Sequence, residues 1–141
     1  MSPLVAGPLL PAEETHLLAA ARAAKDRAVA PYSRFRVGAA LLCGTGEIVT
    51  GCNVESASYG LTVCAERTAV FKALSEGLGG FRAVAVVTDA ESPTPPCGAC
   101  RQVMWDHCRD IAVVMSAGGA VLRRRLSELF PQPFEFGGPP R

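Results

Sequence analysis

Two apolar runs set the tightest limit on the fold. "AVAVVT" (residues 83–88) and "IAVVMS" (111–116) are short, continuous and β-branched, the pattern of strands covered on both faces. Between them lie a loop, "DAESPTPP" (89–96), and a helix-length segment, "CGACRQVMWDHC" (97–108). The order strand, loop, helix, strand is a βαβ unit, so the sheet is mixed and carries helices on its faces.

The rest of the chain fits around that unit. An alanine-rich segment from Ala12 to Ala30, with Leu17, Leu18, Ala21, Ala24 and Ala28 at helical spacing and Pro31 just beyond, predicts a first amphipathic helix. "PYSRF" (31–35) is a turn. "VGAALLC" (37–43) and "EIVTGCNVE" (47–55), joined by "GTG", predict an antiparallel hairpin. Cys64 to Glu76 is free of Gly and Pro, carries the stripe Ala69, Val70, Ala73 and Leu74, and is stopped by Gly77, which predicts a second helix. A weaker strand near Val121, a short helical patch "RLSELF" and a Pro/Gly-rich tail of little structure complete the map. The expected fold class is α/β, a three-layer α-β-α arrangement with a roughly five-stranded mixed sheet. At 141 residues the chain has the length of one domain, 1–141, with residues 1–11 and 135–141 expected to be poorly ordered.

Charge and hydropathy exclude several classes of function. The net charge of +1 offers no broad attraction to a polyanion, and the one basic run, Arg123 to Arg125, is accounted for by a solvated helix or strand end. No apolar run approaches the roughly 20 residues that span a bilayer. The N-terminus lacks a positive n-region and is broken by Pro3, Pro8 and Pro11, so no secretion signal is read and a cytoplasmic protein is expected. Cysteines in that compartment stay reduced, and clustered ones bind metal or do redox work.

Cys97 and Cys100 form a C-x-x-C at the start of the third helix, and Cys64 opens the second. Functional groups in α/β sheets gather in the crevice at strand ends, where such helix N-termini converge. Three readings of the thiols follow. "CGAC" alone is a thioredoxin-like redox pair, which a third cysteine disfavours. A structural zinc site needs a fourth ligand, but His107 and Cys108 lie about two turns on, roughly 10 Å along the axis, beyond the reach of a metal bond. As plain alternatives, His107 and His16 are surface or satisfied histidines, and Cys108 is a small apolar filler. The third reading leaves the fourth position open to water, as in catalytic zinc sites. Glu66 would then serve that water as general base and acid; without the cysteines it is only a favourable charge at a helix N-terminus. Zinc with three thiolates carries a net charge of −1, so positive charge should stand close. Arg67 in "CAER" and Arg101 in "CGACR" are the candidates, with solvent exposure as the alternative for each.

The combination "CNVESASYGLTVCAERTA" with "PCGACRQ" resembles the cytidine deaminases of the short, homotetrameric, three-cysteine type, over most of the chain from "PYSRF" to "ELFPQPF". The resemblance implies one zinc per subunit on Cys64, Cys97 and Cys100, with Glu66 shuttling protons, as in zinc deaminases generally. It implies hydrolytic deamination of cytidine and 2′-deoxycytidine to uridine and 2′-deoxyuridine, with release of ammonia, as a step of pyrimidine salvage. It places Arg67 on the ligand sulfurs, the Ala65 N–H at the base carbonyl, Phe35 against the base, and Asn53 and Glu55 at the sugar hydroxyls. Ala57 and Tyr59 of the same segment would lie at the substrate, Tyr59 near the subunit junction, and Phe134 in "PQPF" would reach a neighbouring subunit's site. Residues two apart in a strand share a face, so Asn53 and Glu55 point together while Cys52 points away to pack. A carboxylate at the sugar repels phosphate, which favours a free nucleoside over a nucleotide or nucleic acid. A deaminase of another aminopyrimidine nucleoside and a non-catalytic zinc-binding module are the competing expectations.

Overall fold

Strand periodicity and two close helix–strand contacts organise the protein, for which a computed structural model describes residues 8–137. The hairpin forms as β1 (Val37–Leu42) and β2 (Ile48–Cys52), antiparallel, with Ala40 opposite Thr50. The two apolar runs are β3 (Ala83–Thr88) and β4 (Ala112–Ala117), which pair in parallel, while β5 (Ala120–Arg125) returns antiparallel on β4. The sheet order is β2-β1-β3-β4-β5. Every residue of β3 is buried, as its unbroken apolar run requires. The Arg123 to Arg125 run is the end of β5 on the sheet's edge, where charge discourages pairing with other chains.

Alternation sorts the strand residues onto two faces. Ala40, Leu42, Ala85, Val87 and Val114 pack under α1 (Pro11–Lys25), against Leu17 and Ala21. Leu41, Val84, Val86, Val113 and Met115 face α2 (Ala65–Ser75) and α3 (Gly98–Cys108), against Val70 and Met104. A short α4 (Leu126–Leu129) seals that side with Leu126. Each fully buried Leu, Val or Met side chain contributes about 1.5–3 kcal/mol relative to exposure. Three layers result, as expected from the sequence. Among the described residues no helix is long and apolar enough to cross a membrane.

The contact of α1 with β1 passes over Gly38, and that of α2 with β2 over Gly51. A Cβ on Gly38 would lie 1.9 Å from the Ala21 carbonyl oxygen and 2.4 Å from the Lys25 nitrogen, and one on Gly51 would lie 2.5 Å from the Ala65 carbonyl oxygen. These neighbours are backbone atoms that cannot rotate away. Gly38→Ala is therefore expected to cost about 3 kcal/mol through overpacking, read as a lower urea midpoint; an unchanged midpoint would show that α1 does not lie this close.

The structure shortens two sequence-predicted elements. The first helix ends at Lys25, not Ala30, because the Val29 N–H donates to the Asn53 carbonyl and the Glu55 N–H donates to that of Val29. Likewise β2 stops at Cys52, since beyond it Val54 bridges Val29 on one side and Val63 on the other. These bridges bring the 30–36 turn against Asn53 and Glu55. At the chain ends, Pro11 already begins α1, and the tail is anchored on α3: Trp105 Nε1 donates to Glu135 Oε1 at 2.8 Å and Gln102 Nε2 to the Phe134 carbonyl at 2.9 Å. The expectation of poor order at residues 1–7 and 138–141 lies outside the described residues.

An ion-pair network ties α1 to the end of β3. Arg36 Nε and Lys25 Nζ donate to Asp89 at 2.8 and 2.7 Å, and with Arg36 contributing most, the pair holds its carboxyl down to about 2. A carboxyl depressed on folding stabilises the native state above its unfolded pKa of about 3.9 and loses that stabilisation as pH falls through the folded value. Asp89→Asn is expected to cost about 1 kcal/mol at pH 7, after discounting for solvent screening. The difference from wild type should shrink as pH falls and vanish below about pH 2 in parallel urea titrations; a gap that persists there would assign it to shape and not to charge.

Candidate metal centre and substrate pocket

Cys64 and Cys97 are the N-caps of α2 and α3, and neither helix has a side-chain cap. The free N–H groups and positive dipole ends of both helices therefore face the thiols. Cys100 lies one turn into α3, fully buried, and brings its sulfur to the same point. The three Sγ atoms lie within 4.8 Å of one another, with Cys64 and Cys97 at 3.7 Å and all three unbridged. Sulfurs bound tetrahedrally at about 2.3 Å from one ion stand roughly 3.8 Å apart, so the donor set fits zinc. Cys97 is exposed, so the cluster opens on one side.

The electrostatics favour thiolate at Cys64. The Cys64 thiol is drawn down to about 5, mainly by its hydrogen bond with Cys100 and then by Arg67, against the opposing effect of burial. Cys100 is pushed up by the same contact and by its own burial. Arg67 Nη2 stands 3.5 Å from Cys64 Sγ and 3.4 Å from the Thr62 carbonyl, and its own pKa is raised mainly by Cys64. Its buried Nε has no hydrogen-bond partner. Arg101 makes no hydrogen bond with a sulfur among the described residues: its Nε donates to the Pro96 carbonyl at 2.8 Å and its Nη1 to that of Leu129 at 2.7 Å, so it ties the 89–96 loop, next to Cys97, to α4. These two carbonyls capture the guanidinium before it can turn back to the helix N-terminus.

Glu66, the second residue of α2, is only 4% exposed, and burial pushes its carboxyl up to about 7. It lines a cavity of about 250 Å³ together with Cys64 and Cys97. Phe35, Asn53 and Glu55 line the same cavity, so the hairpin end and the two helix N-termini build one pocket. Asn53 is buried and its amide is engaged: Oδ1 accepts from the Val37 N–H and Nδ2 donates to the Phe35 carbonyl, each at 2.8 Å. Glu55 Oε1 accepts from the N–H groups of Tyr32 and Ser33 at 2.9 and 3.2 Å, and Oε2 accepts from the Ser33 hydroxyl. Its carboxyl is held below the usual range, mainly by that hydroxyl.

Several predicted residues stand elsewhere in the single chain. Ala57 is exposed on the loop beyond Val54, Tyr59 is 82% exposed in a 3₁₀ turn (Tyr59–Leu61), and the Phe134 side chain is exposed beside α3. None of the three lines the pocket. Ala65 is the buried first residue of α2, where helix geometry leaves its N–H without an intrahelical partner. Cys52 is half-buried and directs its thiol at the Arg27 carbonyl at 3.5 Å, a packing role as expected. His16 and His107 are exposed, and Cys108 packs into the α3 side of the core. Sequence reasoning missed Ser33, Thr62, Thr88 and Thr94, which also line the pocket. Thr88 had a signal, since it ends the strand where α/β sites form. Thr94 had none.

A three-layer α/β domain with three thiols at paired helix N-termini, beside a buried carboxyl and an open cavity, is the framework of a zinc-binding hydrolytic domain. The family model described as "Cytidine and deoxycytidylate deaminase zinc-binding region" matches residues 11–117. A cytidine deaminase of Halalkalibacterium halodurans is 53% identical over 79% of this chain and 86% of that protein. One from Mycobacterium tuberculosis is 46% identical over 81% of this chain and 84% of that protein. The crystal structure of cytidine deaminase from Burkholderia pseudomallei superposes with a TM-score of 0.83 at 48% identity, covering 85% of this chain and 98% of that chain. The chain belongs to the cytidine deaminase family.

Proposed function

We propose that the protein catalyses hydrolytic deamination of cytidine and 2′-deoxycytidine to uridine and 2′-deoxyuridine, with release of ammonia. The observation that carries this reading is one pocket with Glu66, buried and raised to about 7, beside the three thiols at one end and Asn53 and Glu55 at the other. Zinc held by Cys64, Cys97 and Cys100 would supply Lewis acidity, making a water molecule nucleophilic near neutral pH.

The chain's own residues account for the rest. Glu66 takes the proton from the water that attacks C4 and delivers it to N3 of the pyrimidine; it then passes the second proton to the departing amino nitrogen. Burial suits it to both directions, because a carboxyl near 7 gains and loses protons with little driving force either way. Arg67 offsets the charge of the sulfurs. The unpartnered Ala65 N–H holds the base carbonyl, and Phe35 packs on the ring. Asn53 fixes the wall through Val37 and Phe35 and keeps one amide hydrogen and one lone pair for a sugar hydroxyl. Glu55 keeps lone pairs for another and disfavours a phosphate there.

The remaining roles involve other copies of the chain. Tyr59, Leu61, Phe71 and Phe134 are 82, 70, 46 and 67% exposed, apolar surface of the kind that subunit contacts cover. We read the protein as a homotetramer of single-domain subunits in which Ala57, Tyr59 and Phe134 complete pockets across the junctions. A free-nucleoside substrate fits pyrimidine salvage in the cytoplasm, with neither nucleic acid nor membrane as partner. Purified zinc-loaded protein should convert cytidine with one ammonia released per uridine formed. No turnover at one zinc per chain would overturn the assignment.

A further inference from the structure

Ser33 lies outside every role assigned above, yet it lines the pocket and bonds to two other lining residues, Glu55 and Phe35. Its hydroxyl donates to Glu55 Oε2 and accepts from the Phe35 N–H at 3.0 Å, while its own N–H donates to Glu55 Oε1 at 3.2 Å. One side chain therefore joins the carboxylate at the sugar end to the backbone of the aromatic residue at the base end. The segment around it has no regular structure to fix it: residues 31–36 are exposed, form no element beyond a turn, and include Arg34 at φ 57°, in the left-handed region, with Asn53 Nδ2 on the Phe35 carbonyl and Arg36 on Asp89 as the other side-chain anchors. Arg34 Nα bonds back to the Ala30 carbonyl at 3.0 Å, which closes the turn but does not aim Phe35.

We propose that Ser33 is a positioning residue for nucleoside binding: its hydroxyl sets the Glu55 carboxylate and the Phe35 ring in register, so that sugar and base are seated together. The inference rests on the deaminase reading of this pocket. A carboxylate that receives three donors has a fixed direction, and the hydroxyl that supplies one of them passes its own acceptor to Phe35. Removing it leaves Glu55 held by two backbone N–H groups on Oε1 alone, free to swing its second oxygen, and leaves the Phe35 N–H without its partner. Ser33 lies away from the thiols and Glu66 on the chain, so the reaction step itself should be spared.

The test compares wild type, Ser33→Ala and Ser33→Thr, each at one zinc per chain, on cytidine and on 2′,3′-dideoxycytidine. Ser33→Ala is expected to raise KM for cytidine about 10-fold, the scale of one charge-assisted hydrogen bond, with kcat within about 2-fold. Ser33→Thr, which keeps the hydroxyl, should recover most of that loss. The rise should shrink on the dideoxy substrate, which offers Glu55 no 2′ or 3′ hydroxyl. An unchanged KM in Ser33→Ala, a fall in kcat of the same size, or a threonine variant as impaired as the alanine would each overturn the role while leaving the deaminase assignment standing. A wild type that fails to turn over cytidine would overturn both.

Discussion

Glu66→Gln is expected to lower kcat for cytidine by about 10⁴-fold, the upper end of what a positioned general acid–base group supplies, with zinc content and melting temperature close to wild type. Glutamine fills the same volume and leaves the three thiols intact, so neither packing nor the metal donor set is touched. Only the capacity to hold and release a proton is lost. The chain offers a natural contrast in Glu55, a residue of identical chemistry in the same pocket. Glu55 accepts three hydrogen bonds from Tyr32 and Ser33 and is held below the ordinary carboxylate range, which suits the ionised acceptor proposed for the sugar. Glu66 is 4% exposed and burial raises it to about 7, the direction a proton carrier needs. Environment, and not residue type, divides the two roles. Stopped-flow and steady-state assays with metal analysis on the same samples give the answer. A variant that keeps more than about a tenth of wild-type kcat would remove Glu66 from the proton path.

Much of this contrast was legible before any coordinates. The βαβ unit follows from "AVAVVT" and "IAVVMS", because strands buried on both faces have no polar alternation to confuse them with anything else of that length. The convergence of Cys64, Cys97 and Cys100 follows from their positions just after loops at helix starts. Other features depended on pairings that no local pattern announces. Nothing in "RAVAPYSRF" says that Val29 will bridge Val54, yet that bridge ends α1 five residues early and delivers Phe35 and Ser33 to the pocket. Arg101 looked equivalent to Arg67, each directly following a site motif. Their fates differ because the carbonyls of Pro96 and Leu129 lie within reach of one and Cys64 Sγ within reach of the other. Nothing in the strand pattern marks Gly38 and Gly51; only the helix backbone above each shows why a side chain is excluded.

Cys100→Ala should abolish zinc binding and activity together, whereas Cys108→Ala should leave both intact. The two residues share one helix and one residue type, and α3 places them differently. Cys100 is one turn from the helix N-terminus, fully buried, with its sulfur within 4.8 Å of those of Cys64 and Cys97. Cys108 ends the same helix among apolar side chains, and burial pushes its thiol up to about 12, the signature of an inert packing group. Losing a direct ligand should weaken zinc by more than the 10–100-fold typical of an indirect partner, leaving the variant essentially metal-free after dialysis. Because zinc binds the native state alone, the wild-type protein should also lose melting temperature on chelation, and Cys100→Ala should melt near the chelated value with no further response to added zinc. Cys108→Ala removes only a sulfur from the core and should cost about 1 kcal/mol, without altering metal content. One zinc retained by Cys100→Ala would show that Cys64, Cys97 and a third group other than Cys100 hold the ion, and the open side of the cluster would have to be reassigned.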